Sequence, residues 1–370
     1  MSGVIVHEWL EQFGGAEKVV DRFAAIFPDA PIHVLWNDAP GRFAPRRVHE
    51  SPLARTGLRR HKAVAIPAML SAWRRLGKTD AEWMLVSSHL FAHHARFATG
   101  GREMRKLVFC HSPARYIWEP DLDSRGDGFV QRVASRPLRT IDRKRAQEAT
   151  EIAVVSEFVK ERVERCWHRD ARVIHPPVDV RMFSAAADTL TGQDAATLDE
   201  LPSEYLFGAS RFVTYKRLDL VIAAGAAAGL PVVLAGDGPM RKALEDQAAS
   251  CGVRVVFVGR ASDDLLRELY RRAVAYVFPA IEDFGIMPLE AMAAGTPVIA
   301  NRVGGASETV LDGVTGFLVD DFNGAEVRSA VERVAQLDSS ALTARAEAFD
   351  ASVFDANIRA WVTPTRSNPV

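Results

Sequence analysis

Cysteine is scarce. Three residues in a 370-residue chain, Cys110, Cys166 and Cys251, cannot build a disulfide framework, and their spacing fits no zinc site. That usage points to a reducing cytoplasm. Long apolar runs are also missing. None reaches the roughly 18 residues that a membrane span needs. The N-terminal MSGVIVHEWLEQFGG has no basic stretch leading into an apolar core, so no secretory signal is expected. The formal net charge is only −1, which gives no overall pull toward nucleic acid. No nucleic-acid motif is present either. What is there is ordinary for a folded protein: 48% hydrophobic and 25% charged residues. Such a balance excludes a mainly disordered, collagenous or coiled-coil chain. At roughly 100–200 residues per domain, two domains are expected.

The small net charge hides an asymmetry. Residues 1–180 hold 29 basic and 22 acidic side chains, and the remainder 17 and 25. Between Arg46 and Lys78 nine basic residues face Glu50 alone, interleaved with Leu, Ile, Met and Trp. A second run, residues 132–145, adds Arg132, Arg136, Arg139, Arg143, Lys144 and Arg145 against Asp142. A basic face with apolar neighbours suits an anionic membrane surface. A plain solvated face has the same composition.

Short runs rich in Val, Ile and Leu read as buried strands: Gly3–His7, Pro31–Leu35, Trp83–Ser87, Leu107–Cys110 and Ile152–Val155. A second series follows at Tyr205–Ala209, Val232–Ala235, Val255–Val258, Ala275–Phe278, Val298–Ala300 and Phe317–Val319. Helical patterns separate them, among them Ala16–Ile26, Arg217–Ala228, Pro239–Cys251 and Asp263–Ala273. Alternating strands and helices imply parallel sheets covered on both faces. Two such series imply two doubly wound α/β domains, with the ligand site expected in the cleft between them at the strands' carboxyl ends. We expect a first domain over 1–180, a second over 181–350, and a closing helical segment over 351–370. The small and polar stretch 185–203 reads as a linker.

The strongest motif runs from Phe278 to Val310. A strand ends at Phe278-Pro279, a loop holds Glu282 to Gly285, and Pro288 suits the first turn of a helix that Gly295 ends. Glu282 and Glu290 then stand on either side of a helix N-terminus, a place suited to phosphate. Two carboxylates there can take hydrogen bonds from hydroxyls on both sides of that phosphate. Spacing alone fits a pair of solvated helix-start glutamates equally well. An Arg and a Lys five apart, Arg211 and Lys216, are by themselves usually surface charges.

The wider string is more specific. Glu282–Glu290 matches the E-x7-E signature of the family 4 retaining glycosyltransferases of GT-B fold. EDFGIMPLEAMAAGTPVIA and GGASETV resemble that family almost throughout, as do SRFVTYKRLDL, LAGDGPM and VVFVGR. The resemblance covers essentially the whole chain. It implies a GT-B fold, two Rossmann-like domains facing each other across a cleft, with acceptor on the first and sugar nucleotide on the second. It assigns donor-sugar hydroxyls to Glu282, ribose to Glu290, and the diphosphate to Arg211 and Lys216 with backbone N–H groups of Phe284, Gly285 and Ile286. Gly14-Gly15, otherwise a plain tight turn, resembles the family's N-terminal glycine loop. Gly236 and Asp237, in a turn, are expected near the nucleotide, and Gly259 and Arg260 near its base.

FCHSPARYIW puts Cys110 and His111 at a strand end. Neighbours on a strand face opposite sides, which argues against a thiol–imidazole pair. A buried, hydrogen-bonded histidine is one reading of His111. The resemblance implies another, beside the donor sugar. HSPARYIWE is similar to bacterial mannosyltransferases that act on lipid-linked or polysaccharide acceptors, and VTYKRLDLVI with EDFGIMPLEA to users of GDP-mannose. His89, His93 and His94 look like a metal cluster, but no carboxylate neighbours them in sequence, and no metal is expected. The expectation is a retaining hexosyltransferase, using GDP-mannose without metal in cell-envelope glycan synthesis, at the inner face of the cytoplasmic membrane. UDP- or dTDP-sugar donors, a sugar-nucleotide epimerase or hydrolase, and a non-catalytic binding protein are the alternatives.

Overall fold

A computed structural model describes residues 2–12, 14–43, 48–119, 129–185, 190 and 192–363. Arg46 and Arg47 of the first basic run, and the Arg132 side chain of the second, lie outside the described residues. The chain divides into two compact units, residues 1–177 with 352–370, and residues 178–351.

The first unit holds seven parallel strands: β1 (Gly3–His7), β2 (Ile32–Val34), β3 (Val48–Glu50), β4 (Trp83–Ser88), β5 (Arg105–Cys110), β6 (Glu151–Val154) and β7 (Arg172–Val173). Their order is β3-β2-β1-β4-β5-β6-β7. The central strands are buried from end to end, which is why they read as unbroken apolar runs. The order reverses beside β1, so the segments after β1, β4 and β5 meet at the switch point where doubly wound sheets bind ligands. Gly14, His89 and His111 follow those three strands. From Ser352 on, the helix Ala351–Val362 belongs to this unit. Phe354 stacks on Phe23 with ring centroids 5.9 Å apart, Arg22 donates to Asp355, and the Trp361 indole donates to Glu151 at 3.0 Å.

The second unit holds β8 (Leu206–Ala209), β9 (Val232–Ala235), β10 (Val255–Gly259), β11 (Ala275–Phe278), β12 (Val298–Asn301) and β13 (Gly316–Val319), all parallel, in the order β10-β9-β8-β11-β12-β13. Here the switch lies between β8 and β11. The loops that follow those strands carry Arg211 and Lys216, and Glu282 to Gly285.

Three features depart from the sequence reading. Edge strands β3 and β7 carry no apolar run and are half-buried or exposed. The stretch read as a linker contains a helix, Gly192–Asp199. It is pinned by the buried Leu198 and by Ser262 Oγ donating to Asp194 at 2.6 Å, a contact that local composition does not encode.

Candidate functional site

In the second unit, two backbone turns are pressed together at the carboxyl end of the sheet. Gly236 has φ 130°, and a Cβ placed on it would sit 1.8 Å from the Ser210 carbonyl oxygen. Only glycine allows that approach and that conformation. Phe212 N–H donates to Asp237 O at 2.9 Å, and Gly236 N–H to Gly259 O at 2.6 Å. These contacts fix the start of the segment that displays Arg211 and Lys216. Arg211 is exposed and donates to the Tyr215 hydroxyl at 2.7 Å. The Lys216 ammonium lies 5.7 Å from the centre of the same Tyr215 ring and donates to Glu282 Oε1. Asp237 and Arg260 are exposed on their turns.

Glu282 is held from behind. Gly305 N–H donates to Glu282 O at 2.8 Å, and a Cβ on Gly305 would lie 2.4 Å from the Asp283 oxygen and the Phe284 Cα. The paired glycines Gly304 and Gly305 therefore seat the loop. Gly285 adopts left-handed backbone, φ 89°, directly before the helix Ile286–Ala293. The first N–H groups of a helix have no intrahelical acceptor and carry the positive end of its dipole. Phe284 is buried against Phe349. Glu290 is 7% exposed, beside Tyr270 and Tyr276. Burial pushes both phenols well above their usual range, helped by Tyr276 and Glu290 at Tyr270 and by Glu282 and Glu290 at Tyr276. Tyr276 also donates to Ala209 O at 3.2 Å. Lys216, Glu282, the helix start at Ile286 and Glu290 are thus brought to one end of one sheet.

Gly14, Gly15 and His111 stand on the first unit. Gly14 has extended backbone that any residue adopts, and nothing meets a Cβ at Gly15, which opens the helix Gly15–Ile26. His111 follows β5, with Nε2 2.9 Å from the Ser87 hydroxyl. Cys110 beside it is fully buried, which leaves no thiol to react. His111, His89 and His7 form a chain of imidazoles, with ring centroids 6.4 and 5.6 Å apart. Burial, and then the neighbouring His111, lower His7 to about 3. Burial pushes the Glu8 carboxyl up to about 7, although it accepts main-chain bonds from Leu90 at 2.6 Å and His89 at 3.2 Å.

The histidine triplet behaves differently from its appearance in sequence. His89 lies outside the short turn Ala92–His94, so it shares no helix face with His93. A carboxylate does reach the other two. Asp142 Oδ1 lies 3.1 Å from His93 Nε2 and 3.0 Å from His94 Nε2, and Asp142 Oδ2 accepts from the indoles of Trp118 at 2.8 Å and Trp167 at 2.7 Å. These three residues are the only group among the described residues with metal-ligand geometry. Their chemistry is that of a hydrogen-bond hub, since three N–H donors, from His94, Trp118 and Trp167, use both carboxylate oxygens while the His93 imidazole lies alongside. Burial opposes ionisation of Asp142, but the His93 and His94 imidazoles outweigh it and hold the carboxyl well below its usual range.

Several of these residues escape a reading of the sequence. Tyr215, inside the R-x4-K string, carried a signal in its four-residue spacing from Arg211. Tyr276 lies in a run that reads only as a strand. Ser87 and Asp142 carry no local signal, because their partners are 24 to 80 positions away.

The two sheets and their switch-point sites define a GT-B architecture. Its solved neighbours include the Anabaena protein HepE in complex with UDP, at TM-score 0.72 and 18% identity over 99% of this chain and all of that one. Residues 13–181 match the family described as Glycosyltransferase Family 4, and residues 195–348 that described as Glycosyl transferases group 1. The chain belongs to the family 4 glycosyltransferases. It is 31% identical over 235 residues to the D-inositol 3-phosphate glycosyltransferase of Mycolicibacterium smegmatis, covering 59% of this chain and 52% of that protein. It is 29% identical over 268 residues to the alpha-1,3/1,6-mannosyltransferase alg-2 of Neurospora crassa, covering 62% and 56%. The matches to curated relatives span from about a quarter to just over half of those proteins' length.

Proposed function

We propose that the protein transfers a hexose from a sugar nucleotide to an acceptor hydroxyl, with the donor on the second unit and the acceptor on the first. The observation that carries this is the Lys216–Glu282 contact beside the helix start at Ile286. A cation for a diphosphate and a carboxylate for sugar hydroxyls share one sheet end. Glu290 takes the ribose and Arg211 supports the diphosphate. Gly14 and Gly15, on the first unit, are assigned to the donor as well. Phe284, Gly285 and Ile286 offer main-chain N–H groups. Gly236, Asp237, Gly259 and Arg260 border the nucleotide. No metal is required, because Arg211, Lys216 and the helix end neutralise the leaving diphosphate.

Transfer then proceeds with retention. The bond from the anomeric carbon to the diphosphate oxygen breaks first. The acceptor oxygen attacks the same face, and its proton passes to the departing phosphate oxygen. No protein nucleophile is needed. His111 is assigned the role of holding a sugar hydroxyl.

The donor we propose is GDP-mannose. The strings VTYKRLDLVI and EDFGIMPLEA and the likeness to a mannosyltransferase support it. A UDP-hexose is the second reading, favoured by the UDP in the HepE complex. Thermal unfolding with GDP, UDP, ADP and dTDP and their sugar conjugates separates them, because a ligand bound only to the folded state raises its melting temperature. Stabilisation by GDP and GDP-mannose alone is expected. Stabilisation by a UDP-sugar alone discards the mannosyl reading and keeps the site.

The acceptor we propose is lipid-linked, met at the cytoplasmic face of the envelope membrane. Among the described residues no helix is long and apolar enough to cross a membrane. Arg55 and Arg60 are exposed in the first basic run, and Val64 is 70% exposed beside them. Each such cation contributes about 1 kcal/mol near an anionic surface. Retention on phosphatidylglycerol vesicles at low salt is expected, and loss of it in the Arg55→Glu/Arg60→Glu protein. Equal retention of both proteins rejects this docking face.

A further inference from the structure

Ser87, on β4, stands between two imidazoles. Its hydroxyl oxygen is 3.1 Å from His7 Nδ1 and 2.9 Å from His111 Nε2, and its carbonyl oxygen is 3.3 Å from the same His7 Nδ1. All three residues sit at the sheet's carboxyl end, and Ser87 and His7 are fully buried. A carbonyl oxygen can only accept. His7 Nδ1 must therefore carry a proton, because a lone pair there would face the carbonyl's own lone pairs. The other ring nitrogen leads to the same answer. His7 Nε2 is buried without a hydrogen-bond partner among the described residues, and a buried orphan N–H is rarer than a buried orphan acceptor. Burial also keeps His7 neutral, so the proton on Nδ1 is its only one.

The rest follows by exclusion. The Ser87 oxygen accepts from His7 Nδ1–H. Its own proton is then left for the one remaining partner among the described residues, His111 Nε2. We propose that Ser87, oriented by His7, is a positioning residue that holds His111 in its Nδ1–H form with Nε2 as acceptor. This rests on the reading of His111 as part of the active site. Its consequence is directional. His111 Nε2 is then already engaged by Ser87 and takes no proton from the acceptor.

The test is spectroscopic and uses the full chain. Long-range 1H–15N correlation of 15N-histidine-labelled protein tells a protonated ring nitrogen from a bare one, and the His111→Gln protein assigns the signals. The expected result for His111 is a protonated Nδ1 and a bare Nε2. Ser87→Ala should mix or invert the two forms, and Ser87→Thr, which keeps the hydroxyl, should restore them. Transfer should follow, with kcat about 10-fold lower in Ser87→Ala at unchanged donor KM, the size expected for one hydrogen bond, and largely recovered in Ser87→Thr. A wild-type His111 protonated on Nε2, or one indifferent to Ser87→Ala, overturns the proposal. Should Ser87→Ala fold poorly, the wild-type spectrum decides alone. An altered tautomer with unaltered kcat instead overturns the placement of His111 in the active site.

Discussion

Lys216→Ala is expected to lower sugar transfer by about 10²–10³-fold, the loss typical when a donor aimed at developing charge is removed. The fold should survive. Lys216 is half-buried on its turn, with its side chain 15% exposed, and its partner Glu282 is 22% exposed, so water can replace the lysine there. The pair also predicts an asymmetry. Without ligand, the Lys216 ammonium is engaged by Glu282, so a diphosphate must compete with that carboxylate. Glu282→Gln weakens the competition. Affinity for the bare nucleoside diphosphate should hold or rise, while transfer falls because a sugar hydroxyl loses its acceptor. Lys216→Ala should lose both. Titrations and kcat for the two proteins check this, and wild-type transfer by folded Lys216→Ala removes the site assignment.

Asp142→Ala is expected to destabilise the first unit by about 3–5 kcal/mol, the range for breaking a buried charge network from one side. The carboxylate is fully buried and engaged by His93, His94, Trp118 and Trp167. Removing it strands three donors, those of His94, Trp118 and Trp167, in a dry interior. Such a loss is a large part of a typical domain's stability, and reduced recovery of folded protein should accompany it. Asp142→Asn keeps one acceptor oxygen but turns an amide N–H2 toward N–H donors, so it should fail to rescue.

The pH dependence has a definite sign. His94, which burial holds down at about 4, is neutral in the folded protein where the unfolded chain already binds a proton. Acidification from about 6.5 to 4 therefore removes stability. Asp142 has a folded pKa below its unfolded value of about 3.9. Its contribution is present above that value and is lost as the pH falls further. Denaturant unfolding at pH 7, 5 and 3 should show wild type losing stability stepwise and Asp142→Ala losing less over the last step. A difference under 1 kcal/mol at pH 7 rejects the hub.

What the sequence discloses follows from where the partners lie. The central strands announce themselves because each is buried on both faces, as Trp83–Ser88 is. The edges do not, because Val48–Glu50 and Arg172–Val173 are too short and too wet to leave an apolar run. Glu282, Glu290, Arg211 and Lys216 stand out because a loop, a helix start and two side chains fall within short strings. Tyr276 and the Gly304–Gly305 seat support the same carboxylates through packing and the main-chain bond from Gly305 to Glu282. Asp142 meets its histidines across 48 positions, and Ser87 meets His7 across 80. A cluster assembled by sheet order cannot be read before the order is known.

The central claim is that the second unit grips a sugar nucleotide through Lys216 and Glu282. A calorimetric titration of GDP and GDP-mannose, and of UDP and UDP-glucose, onto wild type and Lys216→Ala tests it most directly. Saturable binding of one nucleotide pair to wild type is expected, with at least a 10-fold weaker constant for the variant, a difference of about 1.4 kcal/mol. Equal affinity of the two proteins for the same nucleotide would contradict it.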